Sequence, residues 1–142
     1  MAIDYDKLMN LKLPEIRQTL TQKDTMLYAL GLGLGADPLD EKQLRFVYEK
    51  DLQALPTMAV VLAPTGFIWK DPAHGVDWRK LLHGEQGFEL HRPIPAEGEI
   101  VGRTRIAALI DKGKEKGALA LIERTISDGT SGETIATLTS TS

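Results

Sequence analysis

Residues 82–90 read Leu82-His83-Gly84-Glu85-Gln86-Gly87-Phe88-Glu89-Leu90, and they gather hydrogen-bonding side chains around two glycines just ahead of an alternating strand pattern. Glycine lets a backbone approach a ligand closely and take angles that other residues avoid, so a His83-Gly84 step at the mouth of a strand has the make-up of a binding loop. The imidazole can donate or accept a hydrogen bond, and a neighbour without a side chain leaves room for a ligand atom. Taken alone, these two residues fit a polar turn satisfying its own backbone better than they fit a site. The rest of the chain has to decide.

The 142-residue chain is 42% hydrophobic and 26% charged, which suits one ordinary domain with a core of its own. A net charge of -3 argues against nucleic acid as a partner, because such affinity rests on clustered Lys and Arg that release counterions. There is no cysteine, which excludes disulfides, thiolate metal sites and thiol nucleophiles. His74, His83 and His91 lie nine and eight residues apart, far from the i, i+4 spacing that sets two imidazoles on one helical face. No metal and no cofactor is expected. Residues 1–7 carry acidic groups and no basic flank leading into an apolar run, so neither a signal peptide nor a membrane span is read there. A cytoplasmic protein is expected.

The elements that must hold residues 82–90 are legible as local patterns. Thr21 and Asp24 form a capping pair, Met26, Leu27 and Leu30 supply an apolar stripe, and Gly31 closes the helix. Gly31-Leu32-Gly33-Leu34-Gly35 follows a helix instead of a strand, so it does not read as a phosphate cradle. Leu44, Phe46 and Tyr48 alternate with Arg45, Val47 and Glu49, which predicts a strand. Residues 55–63 are apolar on every side between Pro56 and Pro64, which predicts a helix buried on every side, with residues 58–62 in the core. Val61→Asp is then expected to unfold the protein.

A buried helix needs a wrapping, and residues 88–94, 100–110, 118–126 and 135–139 provide one. They are β-branched and apolar runs separated by Pro93-Ile94-Pro95, Asp111-Lys112-Gly113 and Asp128-Gly129 turn signals, which predict an antiparallel meander. The result is an α+β domain, a long curved sheet around one helix. Residues 66–82, with Trp69 and Trp78, show little periodicity and read as an irregular excursion over one end of the sheet, the tryptophans serving packing.

Tyr28-Ala29-Leu30-Gly31-Leu32-Gly33, Leu44-Arg45-Phe46-Val47-Tyr48-Glu49, Leu55-Pro56-Thr57, Leu82-His83-Gly84-Glu85-Gln86 and Asp111-Lys112-Gly113, in this order, resemble the amino-terminal half of the MaoC-like, R-specific 2-enoyl-CoA hydratases (hydratase 2). The resemblance runs from about residue 18 to the end. It implies the hot-dog fold, usually as two units in one chain, and a lyase activity that hydrates a trans-2-enoyl-CoA to the (R)-3-hydroxyacyl-CoA. It also implies that the amino-terminal unit has lost catalytic residues and holds the fatty acyl portion, while an Asp and a His with four residues between them activate water in the second unit. On the same ground His83 and Gly84 are substrate-binding positions and Lys112 contacts the CoA part.

Five positions before His74, His83 and His91 stand Trp69, Trp78 and Gln86, so the Asp and His spacing is absent and no catalytic residue is assigned. Hydration needs one group to take the proton of water and another to return one at the adjacent carbon. The chain also stops inside the last strand pattern, at Thr141-Ser142, so residues 1–142 are expected to be a single hot-dog domain that is truncated or lacks its catalytic partner half. Two functions follow: the acyl-binding half of an enoyl-CoA hydratase, or a non-catalytic acyl-CoA or hydrophobic-ligand module. The expected partners are acyl-CoA and a second hot-dog unit, as a homo- or hetero-dimer. A single-unit thioesterase fits poorly, because Thr57 is the one polar residue from Pro56 to Ala63.

Overall fold

The computed structural model describes residues 3–142, so Met1 and Ala2 of the amino-terminal reading lie outside the described residues. Five strands form one antiparallel sheet: β1 (Ile16–Leu20), β2 (Glu85–Leu90), β3 (Gly98–Asp111), β4 (Ala118–Asp128) and β5 (Thr134–Thr141), in the order β1-β3-β4-β5-β2. The turn signals hold β3, β4 and β5 together as a meander. An Asp111 carboxylate oxygen accepts from the Gly113 N–H at 2.8 Å, and one Asp128 oxygen accepts from the N–H groups of Thr130 and Ser131, each at 2.8 Å. This is the hot-dog sheet.

The first strand of the expected meander lies elsewhere. β2 pairs with β5 through Phe88 opposite Leu138, at the far edge from β3. Pro93 and Pro95 explain the difference, since they deny N–H donors to a tight hairpin ladder. The connection instead crosses the sheet and carries Ile94 into the core at 6% exposure. β1, which the sequence reading did not identify, pairs with β3 through Gln18 opposite Ile100.

Two helices frame the sheet, α1 (Tyr5–Met9) and α2 (Gln22–Gly31). α2 begins with the expected capping box: Thr21 Oγ1 accepts from the Asp24 N–H at 3.2 Å, and Asp24 Oδ2 accepts from the Thr21 N–H at 2.9 Å. It ends at Gly31, with Gly33 taking the left-handed φ of 88°. The Gly33 N–H reaches the Leu30 carbonyl at 3.0 Å and the Leu34 N–H reaches the Ala29 carbonyl at 3.1 Å, a Schellman closure.

Three expectations require correction. The buried face of α2 is Thr25 and Ala29, whereas Leu27 and Leu30 of the expected stripe are exposed. Small residues let the helix lie close, and Thr25 Oγ1 donates to the Ala96 carbonyl at 2.8 Å. The expected strand through residues 44–49 is instead a single turn, α3 (Leu44–Val47), because alternation makes no strand without a ladder and the Arg45 carbonyl is taken locally by the Gln53 N–H at 2.7 Å. The central helix is a six-residue 3₁₀ segment, Pro56–Val61, about two turns long.

That segment is buried on one side only. Met58, Ala59, Leu62 and Ala63 are 0–3% exposed and pack with Leu20, Ile94, Ile100, Ile126, Ile135 and Leu138, whereas Val61 is 51% exposed. Val61→Asp would place its charge in solvent, so the expectation of unfolding is withdrawn for that residue. A second core cluster, Leu8, Trp69, Ile106 and Ala120, sits where the excursion and α1 cover the β3–β4 hairpin end. The excursion is built as expected, from short 3₁₀ turns at Ile68–Lys70, Pro72–His74 and Trp78–Lys80.

Candidate functional site

Between the two core clusters lies an open cleft of about 440 Å³. One wall is the strip from Pro64 to Trp69 that leaves the 3₁₀ segment, and the floor is the β4 and β5 face bearing Ile122, Arg124 and Leu138. Ile122 and Arg124 share that face because alternate strand residues point to the same side. The strip is tied down at two points. The Ala63 N–H donates to Gln18 Oε1 at 2.6 Å, and Thr65 Oγ1 meets Thr104 Oγ1 at 2.5 Å.

Of the three residues picked from sequence, only His83 lines this cleft. It stands exposed immediately before the point where the Gly84 N–H donates to the Thr141 carbonyl at 2.8 Å, which extends the β2–β5 ladder. Gly84 has an ordinary φ, so the argument from unusual backbone angles does not hold for it. A Cβ there would meet the Thr141 carbonyl oxygen at 3.4 Å, an ordinary contact. The close approach belongs to Gly87, where a Cβ would come within 2.8 Å of Thr139 Oγ1. Gln86 fixes the same edge by donating from Nε2 to the Thr139 carbonyl at 3.0 Å, and Glu85 Oε2 accepts from Thr141 Oγ1 at 3.2 Å.

Lys112 does not join them. It lies on the exposed β3–β4 turn, its N–H donating to the Gly117 carbonyl at 2.9 Å, and it is not part of the cleft lining. Trp69 is buried as a packing residue, as expected, but Trp78 is 37% exposed. Lys70 Nζ lies 5.6 Å and the Arg79 guanidinium 5.1 Å from the Trp78 ring centroid, a cationic and aromatic patch beside Phe67 of the cleft wall.

Sequence reasoning passed over Arg124. Its Nη2 donates to the Val60 carbonyl, Nε is sealed from solvent without an acceptor among the described residues, and burial pulls its guanidinium below the ordinary range. The sequence carried no signal for it, since Glu123 and Thr125 flank Arg124 and make it an ordinary charge in a half-polar stretch of strand. The cleft can thus hold an apolar chain and offers hydrogen bonds at His83 and Arg124. No pair of its side chains has the acid and base geometry for hydration. Among the described residues no three His, Asp or Glu side chains gather as metal ligands would.

Residues 18–142 match the family described as MFE-2 hydratase 2 N-terminal domain. The chain is 39% identical to the probable enoyl-CoA hydratase 2 of Dictyostelium discoideum, over 95% of this chain and 46% of that protein. It is 38% identical to the peroxisomal enoyl-CoA hydratase 2 of Arabidopsis thaliana, over 90% of this chain and 43% of that protein. A MaoC-like dehydratase from Phytophthora capsici superposes with a TM-score of 0.72 at 30% identity, covering 96% of this chain and 47% of that one. The chain therefore spans somewhat under half the length of these relatives. With the hot-dog sheet, its covering excursion and the match over residues 18–142, the chain belongs to the MFE-2 hydratase 2 N-terminal domain family.

Proposed function

We propose that this chain is the acyl-chain and CoA-binding half of an (R)-specific enoyl-CoA hydratase, a lyase acting on fatty acyl-CoA thioesters. The observation that carries this reading is the cleft, walled by Val60, Ile68, Leu81, Ile122 and Leu138 and open beside His83. Apolar walls favour an alkyl chain, and a donor at the mouth suits a thioester carbonyl. In this reading His83 faces the thioester, Gly84 leaves space beside it, and Lys112 on its exposed turn meets a CoA phosphate outside the cleft.

The acid and base come from a second hot-dog unit, in the same or another chain, because residues 1–142 supply neither. Relatives roughly twice as long support this. So do the free sheet edge at β2 and the exposed Leu27, Leu30 and Leu32, apolar surface that an isolated domain would leave wet. No described helix is long and apolar enough to cross a membrane. The cytoplasmic reading is kept as part of the proposal. Subcellular fractionation checks it, and recovery with peroxisomes, the compartment in the Arabidopsis relative's name, would overturn it.

Affinity for acyl-CoA as a function of chain length tests the cleft. Each buried methylene contributes about 0.8 kcal/mol, so two added carbons should tighten binding by roughly ten-fold until the cleft is full. Acetyl-CoA, octanoyl-CoA and dodecanoyl-CoA bound equally would sink the reading.

A further inference from the structure

Arg124 is the one charged residue in the lining of the cleft, and it is treated unlike the other arginines of the sheet. Arg17 and Arg103 pair with Glu15, Arg105 with Glu123, and Arg92 with Asp128 and Glu133. Those are exposed or half-buried groups that water would solvate anyway. Arg124 is half-buried too, but its Nε is sealed from solvent and no described carboxylate forms an ion pair with it. A partly desolvated guanidinium without a counter-ion is costly, so a fold that carries one gains when an anion arrives.

Its donors define what can arrive. Nη2 gives one N–H to the Val60 carbonyl and Nε is sealed, which leaves the N–H groups of Nη1 without a protein acceptor at a residue that lines the cleft. Arg124 supplies a single positive charge, so a phosphate dianion would be left half-compensated beside the apolar Val60, Ile122 and Leu138. A carboxylate carried on an apolar body fits both the charge and the walls.

The ladder also sets where the anion would lie. Arg124 is opposite Leu138 on β5, while His83 adjoins the Gly84 to Thr141 hydrogen bond at the other end of that strand. The two are separated along β5 by the rise of about four strand residues, roughly 13 Å, and across it by two strand spacings, roughly 10 Å. An alkyl chain entering beside His83 and lying along β5 therefore brings its far end to Arg124.

We propose that Arg124 is an anion subsite at the inner end of the cleft, which takes an apolar chain terminating in a carboxylate. This rests on the reading of the cleft as an acyl site. The carboxylate has two sources, the ω-carboxylate of an acyl-CoA or the head of a free fatty acid lying reversed.

The test measures binding of decanoate and decanol to the purified chain by titration calorimetry at pH 8, in wild type and Arg124→Gln, which keeps a donor for the Val60 carbonyl. Decanoate should bind about ten-fold more tightly than decanol, the worth of one charge-assisted hydrogen bond, and the preference should vanish in Arg124→Gln while decanol affinity holds. Equal binding of the two probes by wild type overturns the subsite and leaves the acyl reading standing, and this arm needs no variant. A preference retained in folded Arg124→Gln overturns it equally. Failure of both probes to bind overturns both readings. Comparing the mono-CoA thioester of dodecanedioate with dodecanoyl-CoA separates the sources: tighter binding of the former assigns the ω-carboxylate, and equal binding assigns the free acid.

Discussion

Gly102→Ala is the substitution whose cost the structure specifies most directly. Gly102 lies on β3 under the chain leaving the 3₁₀ segment, and a Cβ built on it would stand 2.8 Å from the Ala63 Cβ and closer still to the Ala63 carbonyl oxygen, where ordinary contact begins at 3.4 Å. Ala63 has little freedom to retreat. It is fully buried, holds a φ of 40°, and its N–H is bound to Gln18. Backbone must shift on one side or the other. Overpacking of this kind costs about 1–3 kcal/mol, and the reduced freedom of the unfolded chain returns about 0.4–1 kcal/mol, for a net loss of about 1–2 kcal/mol. For a chain of this size that lowers Tm by roughly 3–6 °C.

Urea unfolding should show the loss as a lower midpoint with an unchanged slope. Combining Gly102→Ala with Ala63→Gly should recover part of it, because the Cβ–Cβ contact disappears and glycine accepts the positive φ. Pro64 and Thr65 follow directly, so Gly102→Ala should also weaken acyl-CoA binding. A Gly102→Ala chain as stable as its parent would refute the seating of residue 63 against the sheet, and with it the position of the cleft wall.

Leu62→Asp should abolish folding, because it buries an unpaired charge at a residue 1% exposed, while Val61→Asp, half in solvent, should fold and melt within a few degrees of the parent; thermal melts of the two separate the faces. The Asp128 carboxyl is held below its ordinary 3.8 by the N–H groups of Ser131 and then Thr130, with Arg92 adding to them. Its folded pKa lies below its unfolded one, so its contribution is full above pH 3.8 and is lost as pH falls through the folded value. Asp128→Asn should therefore flatten the fall of Tm below pH 3.8, and a slope identical to the parent's would exclude this turn as an acid-sensitive point. The purified chain should not hydrate crotonyl-CoA or decenoyl-CoA. Clear turnover, with contamination excluded, would reveal an acid and base pair that the spacing of Asp and His does not.

Local chemistry was readable from the sequence because its partners are near in the chain. The Thr21 and Asp24 capping box, the Asp111 and Asp128 turns and the β3-β4-β5 meander all close within a few residues or across a tight hairpin, so residue type nearly suffices. The absence of Asp five positions before any His was equally a matter of reading letters.

What depends on distant partners was not readable. Alternation predicted a strand at residues 44–49, but a strand needs a neighbour and the fold provides none there. An all-apolar segment predicted burial on every side, yet the sheet covers one side of Pro56–Val61 and leaves Val61 out. α2 turned its Thr25 and Ala29 face inward because a backbone carbonyl at Ala96 accepts from Thr25, a contact between residues far apart in sequence. The site divides the same way. His83 announced itself by its glycine neighbour, whereas Arg124 became a candidate only when tertiary packing removed its water and left it no carboxylate, since a charge is ordinary until its solvent is taken away.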